Sequence, residues 1–346
     1  MYKRGRMKAL VIDTPGDLSV REVDRPHPAA GEVLLRMQYV GFCGSDLSTY
    51  LGKNPMVNYP RIPGHEISGV ISELGEEVPE EFRRGDAVTV VPYTSCGSCP
   101  SCRRGRNNAC RENQTLGVQR DGAMQEYITV AWQKVLPAPA LNELELAMVE
   151  PLTVGFHAIR RGRVENSDVV MVLGCGMIGA GAVAGAALCG ARVIAVDIDE
   201  HKLELATLLG AWHCINSKEK DLHQELDKLT GGDGPDVVIE AAGNPLTYRS
   251  AVEEVAFAGR VVCIGYAGTE VSFATKLFVQ KEMDILGSRN AEPEDFNAVI
   301  SYLERGTFPL DRMISHRVKA EDASRAMKNW ADDPGKVMKL LVDFKL

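Results

Sequence analysis

With 39 lysines and arginines against 47 aspartates and glutamates, the 346-residue sequence lacks the positive excess that a general nucleic-acid binder needs. Its net charge of −8 makes such a partner unexpected. Internal repeats and low-complexity segments are also absent, so no solenoid or long disordered tract is expected. No apolar h-region follows the basic opening Met1-Tyr-Lys-Arg-Gly-Arg6. Those residues read as a loose extension before a strand pattern that begins at Met7. Nine cysteines, an odd number with no secretory signal before them, suit a reducing cytoplasm better than a disulfide framework. Residues 169–191 carry no charge and are long enough to cross a bilayer, yet six glycines interrupt them. The better parse is a buried strand, a glycine turn and a helix from about 178 to 189, with no membrane partner. What remains is an ordinary globular composition, 45% hydrophobic and 25% charged with 33 glycines, at a length that favours two domains.

Against those absences stands a dense cysteine cluster. Cys96-Gly-Ser-Cys99-Pro-Ser-Cys102 is closed by Cys110, eight positions on. Four thiols at this spacing can wrap one ion tetrahedrally, with metal–sulfur bonds of about 2.3 Å and no open position. Such a cage on Zn²⁺ carries a formal charge of about −2, and Arg103, Arg104, Arg106 and Arg111 sit among the ligands to offset it. A redox thiol pair, a disulfide hairpin or a basic nucleic-acid patch are the lesser readings. The cage is structural, with residues 93–113 as its lobe.

The hydrophobic rhythm divides the chain. Residues 1–150 hold short β-rich runs at 8–12, 19–23, 33–40, 67–74, 87–91 and 127–130, which suggests a β-rich barrel or sandwich. From residue 168 the pattern becomes apolar strand then helix, with strands at 169–173, 193–196, 237–240 and 261–264. That alternation marks a doubly wound parallel sheet, here over residues 151–287. A helical stretch at 293–305 belongs to a C-terminal segment, 288–346, expected to fold back on the first domain.

Gly174-Cys-Gly176-Met177-Ile178-Gly179 lies between the first of those strands and a helix. Glycines there allow a tight turn, backbone approach to a pyrophosphate and close helix packing, and the helix N-terminus favours phosphate. The next strand ends in Asp197, whose carboxylate suits adenine ribose hydroxyls and repels a 2′-phosphate. No arginine stands at 198 or 199, so NAD is favoured over NADP. Asp197 as a plain helix N-cap is the bland alternative. Three further fragments carry chemistry: Gly41-Phe-Cys43-Gly-Ser45-Asp46, Gly64-His65-Glu66 and Val149-Glu150-Pro151. A thiolate, an imidazole and a carboxylate form a three-ligand zinc set with one position left for water or substrate.

These motifs, with Gly64-His65-Glu66-x-x-Gly69 and Gly85-Asp86-x-Val88, resemble the zinc-dependent medium-chain alcohol dehydrogenase family from about Met7 to the end. Within it the chain is similar to the sorbitol dehydrogenase-like branch. Pro55-x-x-Asn-Tyr59-Pro60-Arg61, Leu116-Gly-Val-x-x-Asp121-Gly122 and Gly287-Ser-Arg289-Asn290-Ala-x-Pro293 resemble bacterial L-galactonate 5-dehydrogenases most closely. The resemblance implies an α/β chain with a GroES-like catalytic domain and a Rossmann domain. It implies two zinc ions per chain and NAD. Cys43, His65 and Glu150 would ligate the catalytic ion, with Glu66 behind them and able to approach the metal. Ser45 would contact the substrate hydroxyl and pass its proton outward. Ser48 stands where some relatives carry a relay histidine. Arg289 would hold cofactor or an anionic substrate end, or form a salt bridge, and Tyr50 and Arg120 are further substrate-contact candidates. The implied activity is oxidation of a secondary alcohol on a sugar acid or polyol, in a cytoplasmic homo-oligomer, dimer or tetramer. An L-threonine 3-dehydrogenase, another polyol dehydrogenase or a non-catalytic NAD(H)-binding protein are the rival readings.

Overall fold

The computed structural model describes residues 5–345, so the expectation for residues 1–4 lies outside the described residues. Two compact units emerge, one of Met1–Glu150 with Ile300–Leu346 and one of Pro151–Val299. The chain passes between them twice. The first passage lies inside a single helix, Glu143–Arg161, which contains Pro151. The second falls at Ile300, so residues 288–299, expected with the returning tail, pack instead with the second unit.

In the first unit a seven-stranded sheet is built around the long strand Glu32–Phe42. Its residues alternate little in burial because both faces are covered, which is why so apolar a run forms a strand here. Glu66–Leu74 pairs antiparallel along one edge, with register shifts that mark bulges. Tyr127–Ala131 and Leu340–Asp343 share the other edge, the latter setting Leu340 opposite Phe42. His316–Lys319 adds in parallel to that tail strand. A separate hairpin, Arg6–Thr14 with Asp17–Asp24, begins one residue before the expected start. Leu10, Ile12, Leu35, Met37, Ile67, Ile71 and Met124 form the fully buried centre.

The second unit is a six-stranded, wholly parallel sheet. Its spatial order is His213–Asn216, Arg192–Asp197, Val169–Leu173, Val237–Glu240, Arg260–Cys263 and Asp284–Gly287. Numbered along the chain that is 3-2-1-4-5-6, the dinucleotide-binding Rossmann order. The four central strands match the four apolar runs in the sequence. Residues 169–191 divide as expected into Val169–Leu173 and the helix Met177–Leu188. Among the described residues no helix is long and apolar enough to cross a membrane.

Candidate functional site

Cys43 sits at the N-cap of the short helix Gly44–Tyr50, where its N–H donates to Asp46 Oδ2 at 2.9 Å. The other oxygen of Asp46 accepts from Gly64 N–H at 3.4 Å. One fully buried carboxylate therefore ties the Cys43 turn to the strand end that carries His65. Burial pushes the Asp46 carboxyl up, and the neighbouring imidazole pulls against it. Sequence reasoning gave Asp46 no role, although its place three residues after Cys43 is a capping signal.

The ligand atoms of Cys43, His65 and Glu66 lie within 4.8 Å of one another. Glu150 lies outside that trio, on the helix Glu143–Arg161, where its carboxylate accepts the hydroxyl of Tyr93. Its charge still reaches His65. Burial alone would push the imidazole down, but the Cys43 sulfur and the Asp46 and Glu150 carboxylates outweigh it and hold His65 well above its usual range. Glu66 is differently engaged. Both of its oxygens accept from Lys339 Nζ, each at 2.5 Å, and Lys339 also reaches Phe42 O at 3.3 Å. Lys339 and Glu66 are 2% and 1% exposed, a fully desolvated pair whose rupture would strand a buried charge. Lys339 was not legible as a site residue, because only the tail strand beside Phe42 brings it there.

Two polar atoms in this region have no partner. His65 Nδ1 and Ser45 Oγ are buried and make no hydrogen bond. Such orphans cost roughly 1–3 kcal/mol each unless something else satisfies them. The trio supplies a thiol, an imidazole and a carboxylate, ligand types that a catalytic zinc takes. Ser48 lies one turn after Ser45 on the same helix and is partly buried, as its backbone carbonyl accepts from Lys53 N–H at 2.8 Å.

The four-cysteine lobe closes at its base through a Tyr93–Thr115 bridge. Cys96, Cys99, Cys102 and Cys110 bring their sulfurs within 4.8 Å of one another, and all are free thiols. Cys99 Sγ is 3.5 Å from Cys102 Sγ and 3.9 Å from Cys110 Sγ. A tetrahedron with bonds of about 2.3 Å has edges of about 3.8 Å, whereas a disulfide needs about 2.05 Å. Hydrogen bonds from Ser101 and backbone amides pull the Cys99 thiol down to about 5. Burial and the Cys99 sulfur push Cys102 up to about 11. A cation at the centre of the cluster would favour the thiolate form of all four. Cys96 and Cys99 in turn raise Arg111, after its Glu112 partner.

In the second unit the glycine turn is sterically enforced. Gly174 has φ +91°, and a Cβ on Gly179 would lie 1.8 Å from Gly174 O. Gly176 is the opposite case, because a Cβ there would meet nothing within 4 Å. It caps the helix Met177–Leu188 with no side-chain bond to the first N–H groups, leaving a bare cradle at a positive helix end. Met177 and Ile178 form the first turn of that helix. Asp197 is not the N-cap of the next helix; Asp199 is, accepting from Lys202 N–H. Asp197 Oδ2 accepts from Cys175 N–H at 2.7 Å and Oδ1 from the N–H groups of Ile198 and Asp199. It thus braces the glycine turn while remaining partly exposed. Arg289 is partly buried just beyond the strand Asp284–Gly287. A third ligand-like group, His157, Glu292 and Asp295, is filled by the Arg160 guanidinium, which bonds Asp295 Oδ1 at 2.8 Å and Glu292 Oε2 at 2.5 Å. It is an ion-pair clasp between two helices.

Comparison with known proteins agrees with this geometry. Residues 29–140 match the alcohol dehydrogenase GroES-like domain family, and residues 178–305 match the zinc-binding dehydrogenase family. The L-galactonate-5-dehydrogenase of Escherichia coli is 34% identical over 90% of this chain and 91% of its own length. The sorbitol dehydrogenase of Bacillus subtilis is 32% identical over 97% of each. An Escherichia coli alcohol dehydrogenase solved with NADH superposes at a TM-score of 0.90, with 32% identity over 98% of this chain and 99% of that one. Both halves of the chain and its full length therefore lead to one assignment: this protein belongs to the zinc-type alcohol dehydrogenase family, and it is an oxidoreductase.

Proposed function

We propose that the chain is a zinc-dependent, NAD-linked dehydrogenase that oxidises a secondary alcohol of a sugar acid or polyol to a ketone. The observation that carries this reading is the pair of orphaned atoms, His65 Nδ1 and Ser45 Oγ, beside Cys43 and buried carboxylates. Cys43, His65 and Glu150 would hold the catalytic ion. Glu150 is preferred to Glu66 because Lys339 occupies both oxygens of Glu66, whereas Glu150 accepts from the neutral Tyr93 hydroxyl. Lys339 thereby holds Glu66 back as an adjacent carboxylate. When bound, zinc supplies a Lewis acid that lowers the pKa of an alcohol, and NAD supplies the hydride acceptor. Ser45 Oγ accepts the substrate's hydroxyl proton and passes it outward. Removing a general acid–base group typically costs about 10²–10⁴-fold, so Ser45→Ala should keep two zinc ions yet lose turnover on that scale. A fully active variant would exclude this proton route.

On the cofactor side, the Gly174, Gly176 and Gly179 turn with Met177 and Ile178 would take the pyrophosphate on backbone N–H groups. Asp197 would accept from the adenine ribose hydroxyls and repel a 2′-phosphate. Asp197→Ala should therefore weaken NAD binding and narrow the gap to NADP in a direct titration. It should also loosen the glycine turn, since Cys175 N–H loses its acceptor. A wild-type preference for NADP would overturn this assignment. The functional test is a panel of L-galactonate, sorbitol, galactitol and L-threonine with either nicotinamide cofactor. Turnover confined to threonine would move the protein to an amino-acid substrate.

A further inference from the structure

Glu150 stands on the helix Glu143–Arg161 immediately before Pro151, and a proline has no N–H to give the carbonyl of Ala147. The helix therefore lacks one backbone hydrogen bond beside the carboxylate, which gains from a tether outside the helix. Tyr93 is such a tether. Its hydroxyl donates to Glu150 Oε1, and the two residues are 5% and 3% exposed, so little water competes for the contact. A hydroxyl fixed on one carboxylate oxygen stops the group from turning and so sets the direction of the other oxygen.

Tyr93 is itself held from three sides by backbone. Behind it, the strand Ala87–Val90 sets Val90 opposite Val135, and Val91 N–H donates to Lys134 O at 2.8 Å. Ahead of it lies the neck of the four-cysteine lobe. There Tyr93 bridges Thr115, Thr94 N–H donates to Gln114 O at 3.2 Å, and Gln114 N–H donates to Thr94 Oγ1 at 2.7 Å. On the third side Leu116 N–H donates to Pro92 O at 3.0 Å, and the loop 116–122 continues onto the segment that presents His65. Gly122 N–H donates to Ile62 O at 2.7 Å and Ala123 N–H to Gly64 O at 2.9 Å. A Cβ on Gly117 would lie 2.4 Å from Gly64 N, so only glycine lets the loop seat this closely. One backbone lattice thus carries both His65 and the hydroxyl that holds Glu150.

We propose that Tyr93 is a positioning residue for the catalytic ion: its hydroxyl fixes the Glu150 carboxylate relative to His65, so that this ligand is in place before the ion arrives. This rests on the reading of Glu150 as a zinc ligand and adds what orients it. Two buried carboxylates are sorted by two tethers. Lys339 grips both oxygens of Glu66 and cancels its charge, whereas the neutral Tyr93 hydroxyl holds Glu150 and leaves its charge for a cation. Phenylalanine at 93 would fill nearly the same space and leave the carboxylate without this tether.

The test measures zinc affinity at the Cys43–His65 site by competition with a chromophoric chelator, in wild type, Tyr93→Phe and Glu150→Ala. Elemental analysis follows the lobe zinc, and a titration follows NAD binding. Losing the hydrogen-bond partner of a metal ligand typically costs about 10–100-fold in metal affinity, so Tyr93→Phe should weaken the site by that factor. Glu150→Ala should weaken it at least as much. Lobe zinc should be unchanged in Tyr93→Phe, and NAD affinity should stay within about threefold of wild type. Wild-type zinc affinity in Tyr93→Phe would overturn the proposal. Loss of the lobe zinc in that variant would also overturn it, by making Tyr93 a part of the lobe alone. Unchanged affinity in Glu150→Ala would overturn both the ligand and its positioning residue. A crystal structure of the zinc-loaded wild type decides the matter if Tyr93→Phe misfolds. It should show Glu150 on the ion with the Tyr93 hydroxyl still on the carboxylate, and a Tyr93 hydroxyl detached from Glu150 would contradict the proposal. If the zinc-loaded wild type reduces NAD with no polyol or sugar acid, the substrate reading fails, while the zinc affinities still decide the role of Tyr93.

Discussion

Replacing His65 with alanine should cut the zinc content from two ions per chain to one and lower turnover by roughly 10³-fold or more, because the ion supplies several kcal/mol of barrier reduction. The remaining ion is the one in the four-cysteine lobe, which shares no residue with the Cys43–His65 cluster. NAD affinity should hardly change, since the glycine turn and Asp197 lie in the other unit. The variant should also fold. His65 makes no hydrogen bond through Nδ1 and packs among groups that are held independently, with Asp46 fixed by two backbone N–H groups and Glu66 by Lys339. Elemental analysis, a cofactor titration and a melting curve together check this. Unchanged zinc content with lost activity would mean that the histidine acts on the substrate and not on the metal.

Cys99→Ser should have the largest effect on stability. Structural zinc in small peptides supplies about 10–16 kcal/mol of apparent binding energy, and within a large unit part of that is replaced by surrounding packing. A residual loss of a few kcal/mol corresponds to a fall of about 10 °C in Tm. Cys99 is central to the lobe: its sulfur contacts those of Cys102 and Cys110, and its N–H donates to Cys96 Sγ at 3.3 Å. Without the ion, burial and the neighbouring sulfurs keep Cys102 protonated, so the thiols lose their common centre. Limited proteolysis should then cut first between residues 96 and 110. Normal melting and an intact lobe would refute a structural role for this site.

Much of the fold was legible because its central strands are buried on both faces. Val169–Leu173 and Val237–Glu240 are wholly buried and stand out as uninterrupted apolar runs. The two missed strands of that sheet, His213–Asn216 and Asp284–Gly287, are its edges. One face or one side of an edge strand meets solvent, so polar residues enter and the run disappears. The short strand Val135–Pro137 is an edge in the other sheet and, at three residues, is too short to stand out as a run. The glycine turn was readable because steric exclusion leaves no other residue at Gly174 or Gly179. The return of the chain was placed too early, since Asp295 is clasped by His157 and Arg160 and stays with the second unit.

The site was legible where its residues cluster locally and obscure where they meet across the chain. The four cysteines fall within fifteen positions and announce themselves. Lys339 is separated from Glu66 by 273 positions and Tyr93 from Glu150 by 57, and nothing in their local sequence marks either. Spacing also could not rank the two carboxylates: Glu66 lies nearer Cys43 and His65 but is bound by Lys339, while Glu150 accepts from Tyr93.

The central claim is that an ion held by Cys43 and His65 is required for NAD-linked oxidation of a sugar acid or polyol. The most direct measurement strips the catalytic zinc with a chelator while the lobe zinc is monitored, then follows NADH formation from L-galactonate as zinc is titrated back. The account predicts no turnover in the stripped protein and full recovery at one added zinc per chain, with no recovery in His65→Ala. Turnover that survives complete removal of that ion would contradict it.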